Sequence, residues 1–387
     1  MLYSRSGPHG RQWGLAWTIR KVVPVLFATT VLLALLFSMG ESTRAAYTSS
    51  NSSYLKYTTV TGFFLQDDNS TDAKTFDYTE VNLGLINRTY PTDDSFDPSG
   101  KKTQWERFAN YVSSLNSNAA SNEQYKVLIM GRHGEGFHNV AESYYGTPAW
   151  DCYWSLLDGN GTITWADAHL TPTGIQQALV ANSFWSNALA TAGIPAPESY
   201  YVSPLARCLA TANYTFSNLS LPESRPFAPV IKELLRESLG LHTCDRRSSK
   251  TWIHSEYPPW AFEPGFSEDD PLWDANTRES SSHQVARLKT LLDDIFSSDN
   301  NTFISLTSHS GSIGAALKAL GHRTFSLVTG AVIPVLVKAE RLSGQAPYTS
   351  IEPSTTGAPS CTANPTPTTA AVSAAASVSA TPTSTSL

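Results

Sequence analysis

The sequence has 387 residues, 41% hydrophobic and 16% charged, enough for one large domain or two small ones with a sizeable buried core. A formal net charge of -6 and the lack of an evident basic face give no electrostatic basis for nucleic-acid binding. Any anionic ligand must therefore be held by local arginines.

Residues 1–21 form a basic N-terminal segment with Arg5, Arg11, Arg20 and Lys21. The run from Val22 to Gly40 then carries no charge in nineteen residues, and a helix of that length can cross a hydrocarbon core of roughly 30 Å. Positive residues ahead of it place the N-terminus in the cytoplasm and the rest on the far side. Trp13 and Trp17 would share one helix face near the interface. The rival reading is a cleaved signal peptide, because small residues follow at Ser38, Gly40, Ala45 and Ala46. Both readings predict entry into the secretory pathway. The first makes this a single-pass membrane protein, held in the membrane through residues 22–40 with a lumenal or extracellular domain, and the second a secreted one. Seven Asn-x-Ser/Thr sequons, at Asn51, Asn69, Asn87, Asn160, Asn213, Asn218 and Asn300, fit a glycoprotein.

After a linker over 41–53, a single domain is expected over 54–343. Asp67, Asp68 and Asp72 surround a sequon and read as an exposed loop, while Trp105 to Leu115 shows helical spacing of apolar residues. Strand-like runs follow at Lys126–Met130, Ser199–Ser203, Ala228–Lys232, Phe303–Thr307 and Ala331–Lys338. Between them lie helical patterns at Pro172–Ala192, Pro204–Phe216, Ser281–Ser297 and Ser312–Leu320. Strands alternating with helices of this length predict an α/β layer fold with a mostly parallel sheet. Residues 344–387 turn to Pro, Thr, Ser and Ala, most strongly beyond Ile351, and such a tail cannot bury enough surface to order itself.

The cysteines, Cys152, Cys208, Cys244 and Cys361, fit neither a zinc site nor a disulfide-dense scaffold. Cys208 reads as a small buried apolar residue, and Cys152 and Cys244 are free to pair. Arg132-His133-Gly134 closes the apolar run Tyr125–Gly131, and His309 closes a second, Thr302–Ser308. Ligands of α/β sheets bind beyond the carboxyl ends of strands, so both histidines are expected in one catalytic pocket.

Five blocks extend this pattern: RHGEGFHN over Arg132–Asn139, LTPTGIQQA over Leu170–Ala178, SPLARCLATA over Ser203–Ala212, ELLRESLG over Glu233–Gly240 and SHSGSIGAAL over Ser308–Leu317. In this order they resemble the histidine phosphatase superfamily, also called phosphoglycerate mutase-like, over about residues 125 to 340. WDCYW, WADAHLT and HTCDRR around them resemble the branch described in fungi. The resemblance implies a three-layer α/β sandwich with a mostly parallel central sheet. It also implies a phosphoryl-transfer pocket that needs no metal and no cofactor. The secreted acid phosphatase branch uses RHGxRxP and a His-Asp pair, where this chain has Glu135-Gly136-Phe137 and His309-Ser310.

Phosphoryl transfer needs an in-line nucleophile, positive groups around the equatorial oxygens and an acid for the leaving oxygen. The resemblance makes His133 the nucleophile, with Arg132 and Arg207 as forked phosphate donors, His309 completing the pocket and Asn139 adding a neutral hydrogen bond. It points to Glu237 as the acid. The glycine that follows, Gly240, falls one residue earlier than is usual, so Glu233 stays in play, with Glu135 weaker.

The remaining candidates have plainer readings. His138 and His169 read as structural histidines, since with His133 and His309 they form no metal-ligand spacing. Arg246 and Arg247 read as solvated charges, or as contacts to the far end of a substrate. Trp150, Trp154 and Trp165 read as packing, as do Gly174 and Gln177 near the pocket. The expected activity is hydrolysis of a small-molecule phosphomonoester through phosphohistidine. The alternatives are a mutase and a non-catalytic cell-surface phospho-ligand binder. Specificity is expected from loops at 141–168 and 241–280.

Overall fold

A computed structural model describes residues 52–362. Leu55–Leu342 and the described part of Ala346–Leu387 form one compact unit. Of a second unit only residues 52–54 and 343–345 are described, where the Gly344 N–H donates to the Ser52 carbonyl at 2.7 Å.

The strands are β1 (Ser53–Thr59), β2 (Glu123–Arg132), β3 (Ser199–Val202), β4 (Pro229–Ile231), β5 (Ala261–Phe262), β6 (Thr277–Arg278), β7 (Phe303–Ser308), β8 (Val332–Ser343) and β9 (Thr355–Thr356). The main helices are α1 (Gln104–Ser117), α2 (Phe137–Tyr145), α3 (Thr147–Cys152), α4 (Pro172–Asn187), α5 (Ala206–Phe216), α6 (Lys250–Glu256), α7 (Ser281–Ser298) and α8 (Ser310–Leu320). Seven strands make one sheet in the order β1-β8-β2-β7-β3-β4-β5. From β2 to β5 every neighbouring pair is parallel, whereas β8 runs antiparallel to β2.

Strand β2 explains the layers. Leu128 and Met130 join a core with Leu288, Leu292 and Ile295 of α7 and Ile313 and Leu317 of α8. Val127 and Ile129 join another with Trp105, Phe108 and Val112 of α1 and Trp185 of α4. A strand covered on both faces must be apolar at successive positions, which is why this run reads as continuous rather than alternating. Helix starts follow local chemistry: Thr103 and Glu106 form a capping box on α1, and Thr171 caps α4 with Pro172 in its first turn.

Two expectations are corrected. No helix among the described residues is long and apolar enough to cross a membrane. That finding overturns the single-pass membrane assignment; Val22–Gly40, on which it rested, lies outside the described residues. Cys152 bonds to Cys361 rather than to Cys244, which is buried and free. The disulfide belongs to a C-terminal strap. Its β9 pairs with β6, the Glu352 N–H donates to Ser282 Oγ at 2.8 Å, and Gly357 N–H donates to the Asn276 carbonyl at 2.7 Å. Residues up to 362 are thus tied to the domain, and the rest of the expected tail lies outside the described residues.

Candidate active site

Parallel strands β2 and β7 end on the rung Arg132↔Ser308, so His133 and His309 emerge side by side. The His133 N–H donates to the Ser308 carbonyl at 3.0 Å, and the two imidazole centroids lie 5.1 Å apart. His133 is 2% exposed and His309 is sealed. His133 Nδ1 lies 2.7 Å from the Gly134 carbonyl. A carbonyl only accepts, so Nδ1 carries the proton and Nε2 keeps its lone pair. Burial, then Arg207 and Arg132, hold the His133 pKa well below the ordinary histidine value. His309 is shifted the same way, by burial first and then Arg207. Its Nε2 meets Ser203 Oγ at 2.8 Å, with the buried Cys208 sulfur 3.4 Å away.

Arg207, in the first turn of α5, is 1% exposed. Its Nη1 donates to the Cys244 carbonyl at 2.6 Å and its Nη2 to Asp245 Oδ1 at 2.9 Å. Asp245 Oδ2 accepts from Arg278 at 2.9 Å. Arg132 Nη1 donates to the Leu327 carbonyl at 2.8 Å. The Nε atoms of both Arg132 and Arg207 are buried without a hydrogen-bond partner. Asp167 steadies α5 from outside the helix, accepting the Ala206 N–H at 2.9 Å while its other oxygen accepts from Ser248 N–H.

The loop after His133 is held by close packing. Gly134 and Gly174, the latter in the first turn of α4, face each other, and a Cβ on either would collide with backbone of the opposing segment. Gly134 N–H donates to Thr211 Oγ1 at 3.0 Å and Glu135 N–H to Gln177 Oε1 at 2.7 Å. Gly174 and Gln177 therefore serve the packing expected of them. Asn139 Oδ1 accepts the Gly136 N–H at 2.9 Å, which leaves its NH2 as the remaining donor.

The two acids have different surroundings. Glu237 Oε2 accepts from Gly311 N–H at 2.9 Å, and its Oε1 accepts from Ser238 N–H and Gln284 Nε2, each at 3.0 Å. A Cβ on Gly311 would strike Oε1, so glycine lets the first turn of α8 approach the carboxylate. Glu237 is also a principal charge felt by Arg132, after burial. Glu233 is buried and bound by Arg236 at 2.9 Å and Arg247 at 2.9 Å. Glu135 accepts from Thr171 Oγ1 at 2.7 Å.

Several other residues take places in the fold that differ from those expected of them. His138 lies inside the pocket, its ring centroid 5.4 Å from that of His133, while His169 is exposed with its ring 5.8 Å from Trp252. Arg247 is buried on Glu233 instead of solvated, and Arg246 sits at the surface, 2.8 Å from Asp158. Trp150 and Trp165 pack with Tyr145 and Cys244, with Trp154 against them. His242, Cys244 and Asp245 bring possible ligand atoms within 4.8 Å of one another. The Asp245 oxygens, however, already accept from two guanidinium groups, which repel a further cation. The roles of Ser203, Asp167 and Asp245 have no local pattern in the sequence, although SPLAR, WADAH and HTCDRR point to their neighbourhoods.

A sequence model described as histidine phosphatase superfamily (branch 1) matches residues 155–330, which hold Arg207, Glu237 and His309 and begin beyond the Arg132–Asn139 loop. A protein of Arthroderma benhamiae named probable phosphoglycerate mutase is 59% identical over 286 residues, 74% of this chain and 85% of the relative. Phosphomutase-like protein 3 of Candida albicans is 40% identical over 232 residues, covering 60% of this chain and 70% of that one. The probable phosphoglycerate mutase PMU1 of Saccharomyces cerevisiae is 36% identical over 235 residues, 56% and 80% of the two chains. With these likenesses and a mostly parallel sheet that brings His133 and His309 together, the chain belongs to the phosphoglycerate mutase-like histidine phosphatase superfamily.

Proposed function

We propose that this protein hydrolyses a small-molecule phosphomonoester through a phosphohistidine on His133, without a metal ion. The observation that carries the reading is the fixed tautomer: Nδ1–H is committed to the Gly134 carbonyl, which leaves Nε2 free beside Arg132 and Arg207. Nε2 attacks phosphorus, the ester P–O bond breaks, and the leaving oxygen takes a proton from Glu237. Water then returns a proton to Glu237 as its oxygen attacks phosphorus, the P–N bond breaks, and inorganic phosphate leaves. Arg132 and Arg207 offset the charge on the equatorial oxygens, with Asn139 and His309 as further donors. Glu237 is preferred over Glu233 because Glu233 is bound by two arginines.

The same intermediate serves a mutase if a second hydroxyl replaces water, a reading favoured by the name of the 59% identical relative. A non-catalytic phospho-ligand binder would not need a tautomer-fixed nucleophile and a positioned acid in one pocket. The test is phosphate release from an aryl phosphate by the full chain beside His133→Ala, together with trapping of acid-labile phosphate. Equal release by both proteins sinks the enzyme reading. Interconversion of 2- and 3-phosphoglycerate, followed by phosphorus NMR and faster than phosphate release, would select the mutase.

A further inference from the structure

His138 begins α2 beside the nucleophile loop and is 9% exposed, yet its Nδ1 is enclosed without a hydrogen-bond partner. It is not alone in this. Arg132 Nε and Arg207 Nε are orphaned in the same pocket, and the charges that act on His138 after burial are Arg207, His133, Arg132 and His242. Buried polar atoms are nearly always satisfied, so three orphaned nitrogens in one neighbourhood point to an acceptor-rich ligand. The arginines give that ligand a negative charge. Gly136 leaves the room for the imidazole, since a Cβ there would stand 2.7 Å from His138 Nδ1.

We propose that His138 is a further substrate-binding residue, whose ring donates a hydrogen bond to the phosphoryl group as it moves to and from His133. The proposal rests on the phosphomonoester reading above. An uncharged imidazole retains one N–H, and with no protein group fixing its tautomer it can turn that donor toward the bound anion. The imidazole is then a neutral donor to a charged acceptor when substrate binds.

Orthovanadate binding, measured by calorimetry on the full chain, is the test. His138→Phe keeps the ring volume and removes the donor, and should weaken vanadate about ten- to hundredfold, the size of one hydrogen bond to a charged group. Recovery of part of that loss in His138→Gln, at an unchanged melting temperature, supports a donor role over a packing one. Equal affinity in the wild type and His138→Phe overturns the proposal. Failure of the wild type to bind vanadate overturns the phosphomonoester reading instead. If His138→Phe does not fold, nitrogen-15 histidine spectra of the wild type decide, with His138 assigned by its loss in His138→Gln. A ring-nitrogen shift on adding vanadate supports the contact, and an unmoved signal overturns it.

Discussion

Asp245 holds Arg207 at 2.9 Å through one oxygen and Arg278 at 2.9 Å through the other. Burial opposes ionisation of this carboxyl, but Arg278 and Arg207 outweigh it and keep its pKa below the ordinary range. Removing one partner of a buried pair costs about 3–5 kcal/mol. Asp245→Asn should lose stability on that scale in urea melts and raise KM for an aryl phosphate as Arg207 loses its anchor. A variant with wild-type stability and KM would show that the Cys244 carbonyl alone positions the guanidinium.

Glu237→Gln tests the acid. General acid catalysis contributes about 10²- to 10⁴-fold, so alkyl phosphates, with poor leaving groups, should slow by that factor. An activated aryl ester, whose leaving group needs little protonation, should slow far less. Equal losses on both esters would move the assignment to Glu233.

Gly174→Ala should place a methyl group against the backbone of Glu135, where neither chain can yield cheaply. Overpacking of this kind costs about 1–3 kcal/mol. The aryl phosphate rate should drop more than the melting temperature suggests, because the displaced segment carries His133. A lower melting temperature with an unchanged rate would separate this packing from catalysis.

The depressed histidines set a direction for pH dependence. His133, His138 and His309 are all held below their ordinary value, mainly by burial, and His242 is lowered to about 4 by burial and then Arg278. Below pH 6.5 the unfolded chain binds protons at these positions that the folded chain does not, so stability present above that pH falls as pH drops toward the folded values. Thermal melts should show the loss beginning near pH 6.5, and His242→Phe should flatten it between about 6.5 and 4. The acid limb of kcat/KM should lie below the ordinary histidine range. A limb at 6.5 would mean that the nucleophile is not the buried imidazole.

Reducing Cys152–Cys361 should release the strap from α3. Cross-links across long loops contribute about 2–4 kcal/mol, and Cys361→Ser should lower the melting temperature as much as reductant does. No change in either case would show that β9 and Glu352 hold the strap unaided.

Much of this was legible in the sequence because the sheet is buried on both faces. The apolar runs around Val127–Met130 and Phe303–Thr307 announced their strands, and the histidines at their ends announced the pocket. What stayed hidden depended on distant partners. Ser53–Thr59 gave no separate signal among polar residues, and its strand exists because β8 is there to pair with it. Asp245 resembles any loop carboxylate until Arg207 and Arg278 arrive. His138 looked structural because a lone histidine on a short helix is ambiguous until its neighbours are known, and Arg247 looked solvated until Glu233 was placed against it.

The shared last rung of β2 and β7 makes the distance between the two imidazoles a property of strand spacing, about 4.8 Å in any sheet, rather than of a loop. The rim over 141–168 and 241–280 can drift in length and chemistry without retuning that distance, provided Asp167, Asp245 and Arg278 still reach inward and the Cys244 carbonyl stays on Arg207. Reaction and recognition are then separately heritable. A chimera that exchanges the rim between relatives, but keeps Asp167, Arg278 and the Cys244-Asp245 pair, should retain the rate on a generic aryl phosphate while changing which natural ester it prefers.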